Sequence, residues 1–170
     1  DMDLGGFILA MQDFGDNIRK YGTPIPSSSS RIQPRNIFIL PETIRRLMKA
    51  YITDKNAKNF VIDAFRNPFE VEYFKRRYKE FYLVSIERDS HEIKALLSSR
   101  LTKNQIDSLW KREKCESIRK KSATNISRWV TSQNIGECKQ KADYVIKNRK
   151  SPTRIPNSHL IYHLIRLISL

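Results

Sequence analysis

Glycine is scarce in this chain: 5 residues in 170, at positions 5, 6, 15, 22 and 136. They cannot supply G-x-x-x-x-G-K-[ST], so no loop of that kind is available to cradle a triphosphate. Cysteine is scarcer, with only Cys115 and Cys138, and their separation matches no metal-ligand spacing. Two such residues read as thiols kept reduced in a cytoplasm rather than as a disulfide framework. No run of eighteen apolar residues occurs, which argues against a membrane span or a membrane partner. The opening stretch DMDLGGFILAMQDFGDN carries neither a basic leader nor a small-residue cleavage site, so it reads against a secretion signal. H-x-E with a following P-C-x-x-C is absent too, which excludes a zinc deaminase centre of that type. No Ser-His-Asp or Cys-His set suited to nucleophilic catalysis can be assembled.

What the chain has in excess is positive charge. The net charge is +14, with 39% apolar and 29% charged residues. Residues 1–93 hold 15 Lys and Arg against 13 Asp and Glu, whereas residues 94–170 hold 17 against 5. A balance shifted that far towards one half favours a polyanionic partner: nucleotide phosphates, nucleic acid or an acidic protein surface. The plainer reading is a solvated, lysine-rich helical face.

Hydrophobic spacing gives an α/β layout. In residues 7–21, Ile8, Met11, Phe14 and Ile18 recur at helical steps, and the helix should stop near Gly22. The stretch GTPIPSSSSRIQPRN reads as loop. A second helix is expected from Pro41, with proline in the tolerated first turn and Glu42 near the positive end. NFVIDAF (59–65) reads as a short buried strand, PFEVEYFKRRY as a crossover helix, and FYLVSI as a second strand parallel to the first. Residues 90–141 read as a basic, helical, lid-like excursion, with Leu96, Leu97, Leu101, Ile106 and Leu109 turned inward. ADYVIKN should be a third strand and SHLIYHLIRLISL an apolar closing helix. The sum is a parallel sheet with flanking helices in a single domain over residues 1–170.

Ligands of open parallel sheets bind at the carboxyl ends of the strands. Asp63, Arg66, Glu87, Arg88 and Asn148 fall at or just beyond those ends. Arg66 presents a planar fork suited to phosphate. Asp63 could orient it, hold a metal-bound water or accept a ribose hydroxyl; alternatively it caps the next helix or pairs locally. Glu70 and Glu72 read as acids placed to suit the helix dipole. His159 and His163 lie four apart but lack a third ligand, and read as packing residues. Arg100, Arg112 and Arg128 could close over phosphates or simply face solvent.

VIDAFRNPFEVEYF resembles the third strand and following helix of P-loop nucleotide kinases of the nucleoside monophosphate and dephospho-coenzyme-A kinase type, where isoleucine-aspartate precedes Arg-Asn-Pro and a glutamate. MQDFGDNIRKYG is similar to the helix before their substrate loop, with Arg19 where those kinases place a substrate-phosphate arginine. Taken with SQNIGECKQKADYVIKN and LIYHLIRLISL, the pattern resembles more narrowly the kinase-like N-terminal half of two-domain deoxycytidylate-deaminase-like proteins of bacterial anti-phage defence. That resemblance implies a P-loop kinase-like fold lacking its phosphate-loop strand, in a chain that is a piece of a longer protein or whose open sheet edge another chain covers. It further implies a nucleotide ligand, with or without magnesium, held by Arg19, Asp63, Arg66 and Arg100. The zinc would belong to a deaminase domain outside the chain, which this module would regulate. Two other functions remain open on the sequence. One is a nucleoside monophosphate kinase whose phosphate loop lies upstream; the other is a basic nucleic-acid-binding or assembly module, homo-oligomers included.

Overall fold

The computed structural model describes residues 3–114 and 129–148. Helix α1 (Leu4–Tyr21) begins where Asp3 Oδ1 accepts from the Gly6 N–H at 2.6 Å, satisfying one of the free amides of the first turn. It ends at Gly22, whose φ of 79° places it in the left-handed region, where its N–H caps the Ile18 carbonyl. A 3-10 turn (Pro34–Phe38) follows, tied to the end of α1 because Asn36 Nδ2 and the Gln33 N–H both donate to the Lys20 carbonyl. Helix α2 (Ile39–Lys55) grows directly out of that turn, two residues before Pro41. The proline still falls within the first turn, where its missing N–H would have no intrahelical acceptor.

Residues 56–66 form no strand, which corrects the expectation for 59–65. Among the described residues no strand pairs with it in a ladder, and Val61 is 92% exposed. A buried parallel strand needs cover on both faces and a neighbouring ladder; this segment has neither. Helix α3 (Pro68–Arg77) follows, capped by Asn67 with proline at its first position and three cations, Lys75, Arg76 and Arg77, in its last turn. Val71 and Phe74 are fully buried, and Phe74 packs against Phe65, Tyr78 and Phe81.

Strands β1 (Val84–Glu87) and β2 (Tyr144–Lys147) pair in parallel, Val84 opposite Tyr144 through Glu87 opposite Lys147. The parallel sheet is therefore present, with two strands among the described residues rather than three. Asp143 fixes its start: its carboxylate accepts from the Leu83 N–H at 2.7 Å and from Lys75 Nζ at 2.6 Å. Between the strands run α4 (Ser90–Leu97), α5 (Lys103–Lys114) and, after a helical turn at 129–131, α6 (Ile135–Gln140). Thr102 and Gln105 form a reciprocal capping box at the head of α5. Leu101, Ile106 and Leu109 make a small core joined by Ile8, Leu9 and Leu97. Leu96, expected inward, is 54% exposed. The closing helix expected at 158–170 and the histidines in it lie outside the described residues. No helix among the described residues is long and apolar enough to cross a membrane.

Candidate anion-binding site at the head of the third helix

The Arg-Asn-Pro sequence places three functional side chains at one end of α3. Pro68 fixes the first helical φ, and Asn67 folds over it to accept the Phe69 N–H at 2.9 Å. That leaves Asn67 Nδ2 free to donate to the carbonyls of Val130 at 2.7 Å and Ser132 at 2.9 Å. Asn67 is completely buried, so each polar atom needs those partners. One residue earlier, the Arg66 carbonyl accepts the Asn134 N–H at 2.7 Å, and Asn134 in turn caps α6. The motif is thus a clamp joining α3 to residues 130–134.

Two guanidinium groups reach this end of α3. Arg66 reaches Glu113 of α5 at 3.0 Å and Gln133 at 3.3 Å, both through Nη1. Its side chain is 37% exposed, and no other nitrogen of its fork is bonded to the described residues. Arg19 of α1 is buried and bonds Glu70 in the first turn of α3 at 2.8 Å and Asp16 at 3.2 Å. Burial pushes the Asp16 carboxyl upward, opposed by the positive charges of Lys20, Arg19 and Arg112. Cys138 of α6 faces the same pair. Burial pushes its thiol up to about 12, and the Glu70 carboxylate adds to the shift. A thiol held protonated in this way is a packing group rather than a nucleophile.

Arg19 and Arg66, assigned separately in the sequence, are both brought to the head of α3. Asp63 is not placed at the end of any strand. It is exposed, it makes no contact with Arg66, and the carboxylate that orients Arg66 is that of Glu113. Arg100 is exposed in the turn before α5, with no side-chain partner among the described residues. It lies beyond the opposite end of that helix from Glu113, and the stretch from Lys103 to Glu113 alone spans about 15 Å at roughly 1.5 Å per residue. Glu87 pairs with Lys139, Arg88 with Glu92 and Arg112 with Asp13, each in a local or surface contact. Asn148 donates its backbone N–H to the Glu87 carbonyl. Arg128 lies outside the described residues.

Glu70 is more than a dipole-complementing acid, since it holds Arg19. Glu113 and Gln133 had no distinguishing sequence signal, whereas Asn134 had that of a cap, with Glu137 three residues on. Asn67 had one: an Asn directly before a helix-starting proline is a cap signature. Chemically, the cluster can bind an anion through the open side of the Arg66 fork. It offers no metal centre, for among the described residues no three His, Cys, Asp or Glu side chains come together. No family model, curated protein or solved structure matches the chain.

Proposed function

We propose that the chain is a nucleotide-binding, kinase-like regulatory module of a deoxycytidine-nucleotide deaminase of bacterial anti-phage defence, with the zinc centre of that enzyme outside the chain. The observation that supports the reading is the placement at the head of α3 of two guanidinium groups, Arg66 from the Arg-Asn-Pro sequence and Arg19 through its bond to Glu70. The two arginines take different parts. Arg19, neutralised by Glu70 and Asp16, fixes α1 against α3. Arg66 keeps donors turned outward, and a phosphate bound there gains charge-assisted, bidentate bonds at modest desolvation cost. Glu113 and Gln133 hold the fork in position before the ligand arrives, so little side-chain entropy is lost on binding. Because Asn67 and Arg66 also grip residues 130–134, occupation of the site is transmitted to α6 and to β2 beyond it.

Calorimetric titration of the chain with dCMP and dCTP tests the reading. A charge-assisted bond is worth about 1.5–3 kcal/mol, so Arg66→Ala should weaken binding by about tenfold or more. Arg66→Lys should restore only part of that, because an ammonium lacks the planar fork. Unchanged affinity in Arg66→Ala removes Arg66 from the site, and no heat from either nucleotide removes the function.

A further inference from the structure

Helix α1 turns its apolar stripe outward. Leu4, Phe7, Met11, Phe14 and Ile18 recur at steps of three and four, the spacing of a helix–helix seam. At about 100° per residue they fall within an arc of about 80°, and no other residue of α1 enters that arc. Four of them stand in solvent, from Phe14 at 36% exposed to Phe7 at 55%, and Ile18 is half-buried. The residues that α1 buries are instead Gly5, Gln12 and Arg19, while Ile8 and Leu9 reach the small core as partly buried neighbours.

The helix cannot roll to hide the stripe. Arg19 is bonded to Glu70 of α3 at 2.8 Å, and Asp13 to Arg112 of α5 at 2.5 Å. At Gly5 the Gln105 side chain lies so close that a Cβ would come within 2.4 Å of it. The stripe is therefore a fixed part of the surface, and a contiguous apolar face about four turns long marks an interaction site.

Two properties select the occupant. The stripe reads the same from either end: aliphatic, Phe, Met, Phe, aliphatic. A twofold contact brings residue i to j and j to i, so a face of that order complements itself when a second copy lies antiparallel. Met11 then meets Met11 of the other copy, Phe7 lies beside Phe14, and Leu4 beside Ile18. Charge selects the same partner. Each chain carries +14, which repels a copy from much of the surface, but α1 itself is neutral, with Asp13 and Asp16 against Arg19 and Lys20. None of those four lies in the stripe, so a polyanion finds nothing to hold there. Antiparallel order also sets the Asp3 end of one helix beside the Arg19–Lys20 end of the other, whereas parallel order would set like ends together.

We infer that the outer face of α1 is a homodimer interface, with two copies crossing antiparallel at Met11. The inference goes beyond the function proposed above and uses no group of the Arg66 site. One helix face is smaller than the roughly 800 Å² per partner of a standard interface, so the pair is weak, with Kd on the order of 10–100 µM.

Sedimentation velocity of the full chain over a concentration series, after nuclease treatment, tests it. The sedimentation coefficient should rise from monomer towards dimer across that range, and added salt should strengthen the pair by screening the charge of each copy. Met11→Glu, at an exposed position, should keep the far-UV circular dichroism and weaken dimerisation at least tenfold. Cross-linking reads the orientation: with Cys115 replaced by Ser, Phe7→Cys mixed with Phe14→Cys should form a disulfide-linked dimer faster than either variant alone. An undiminished dimer in Met11→Glu, a dimer that dissociates as salt rises, or faster self-linking of Phe7→Cys overturns the inference. So does a chain that stays monomeric tenfold above that range, a result that would leave the face to another occupant, residues 158–170 of the same chain among them.

Discussion

Asn67→Ala is the sharpest perturbation of the architecture described here. The side chain is fully buried and makes three hydrogen bonds: one that caps α3 and two that reach the carbonyls of Val130 and Ser132. Loss of an N-cap costs about 1 kcal/mol. Each carbonyl left without its donor costs about 1–3 kcal/mol if no water replaces it. The expected loss is about 3–7 kcal/mol, a large part of the roughly 5–15 kcal/mol that holds a domain of this size. Urea unfolding followed by far-UV circular dichroism measures it, with a constant m-value as the control for two-state behaviour. Asn67→Asp separates the two roles: it retains the capping acceptor but sets a carboxylate against two carbonyls. It should be at least as destabilised as the alanine variant at neutral pH. A loss below about 1 kcal/mol in Asn67→Ala, or an aspartate variant near wild-type stability, would refute the clamp.

Three further outcomes are expected. Removing one partner of the buried Arg19–Glu70 pair, by Arg19→Met or Glu70→Leu alone, should cost about 3–5 kcal/mol, with the double variant closer to wild type in a mutant cycle. With Cys115 replaced by Ser, Cys138 should resist a thiol reagent at pH 8 until urea unfolds the chain, since its native value of about 12 keeps it protonated; the raised value also means stability declines as pH rises past the ordinary thiol range. Glu72 is held below its ordinary 4.5 by the hydrogen bond from Lys141, so its contribution is present in full above that pH and is lost as acid protonates the native carboxylate; Glu72→Gln should make acid unfolding measurably less steep.

Local signals were legible in the sequence and distant partners were not. The helical spacing of Ile8, Met11, Phe14 and Ile18, the stop at Gly22 and the Asn-Pro start of α3 all act locally and each reappears in the structure as an element boundary or helix, although Met11 and Phe14 are exposed. FYLVSI and ADYVIKN were read as strands and pair as β1 and β2. NFVIDAF has the same composition yet stays unpaired, because β propensity reports fitness for a pleated surface and not the presence of a neighbour. Leu96 and Leu97 are adjacent on α4 and cannot both face one core; Leu97 takes the inner place. Arg66 was identified by its chemistry, but its carboxylate lies on α5, far along the chain, and nothing in the intervening residues points to Glu113 rather than Asp63.

Hydrogen–deuterium exchange with and without saturating dCTP tests the central claim directly. Binding through Arg66 should slow exchange at residues 66–71 and at 133–138 together, because the clamp joins the two segments. Exchange unchanged at both segments under saturating nucleotide would contradict the account.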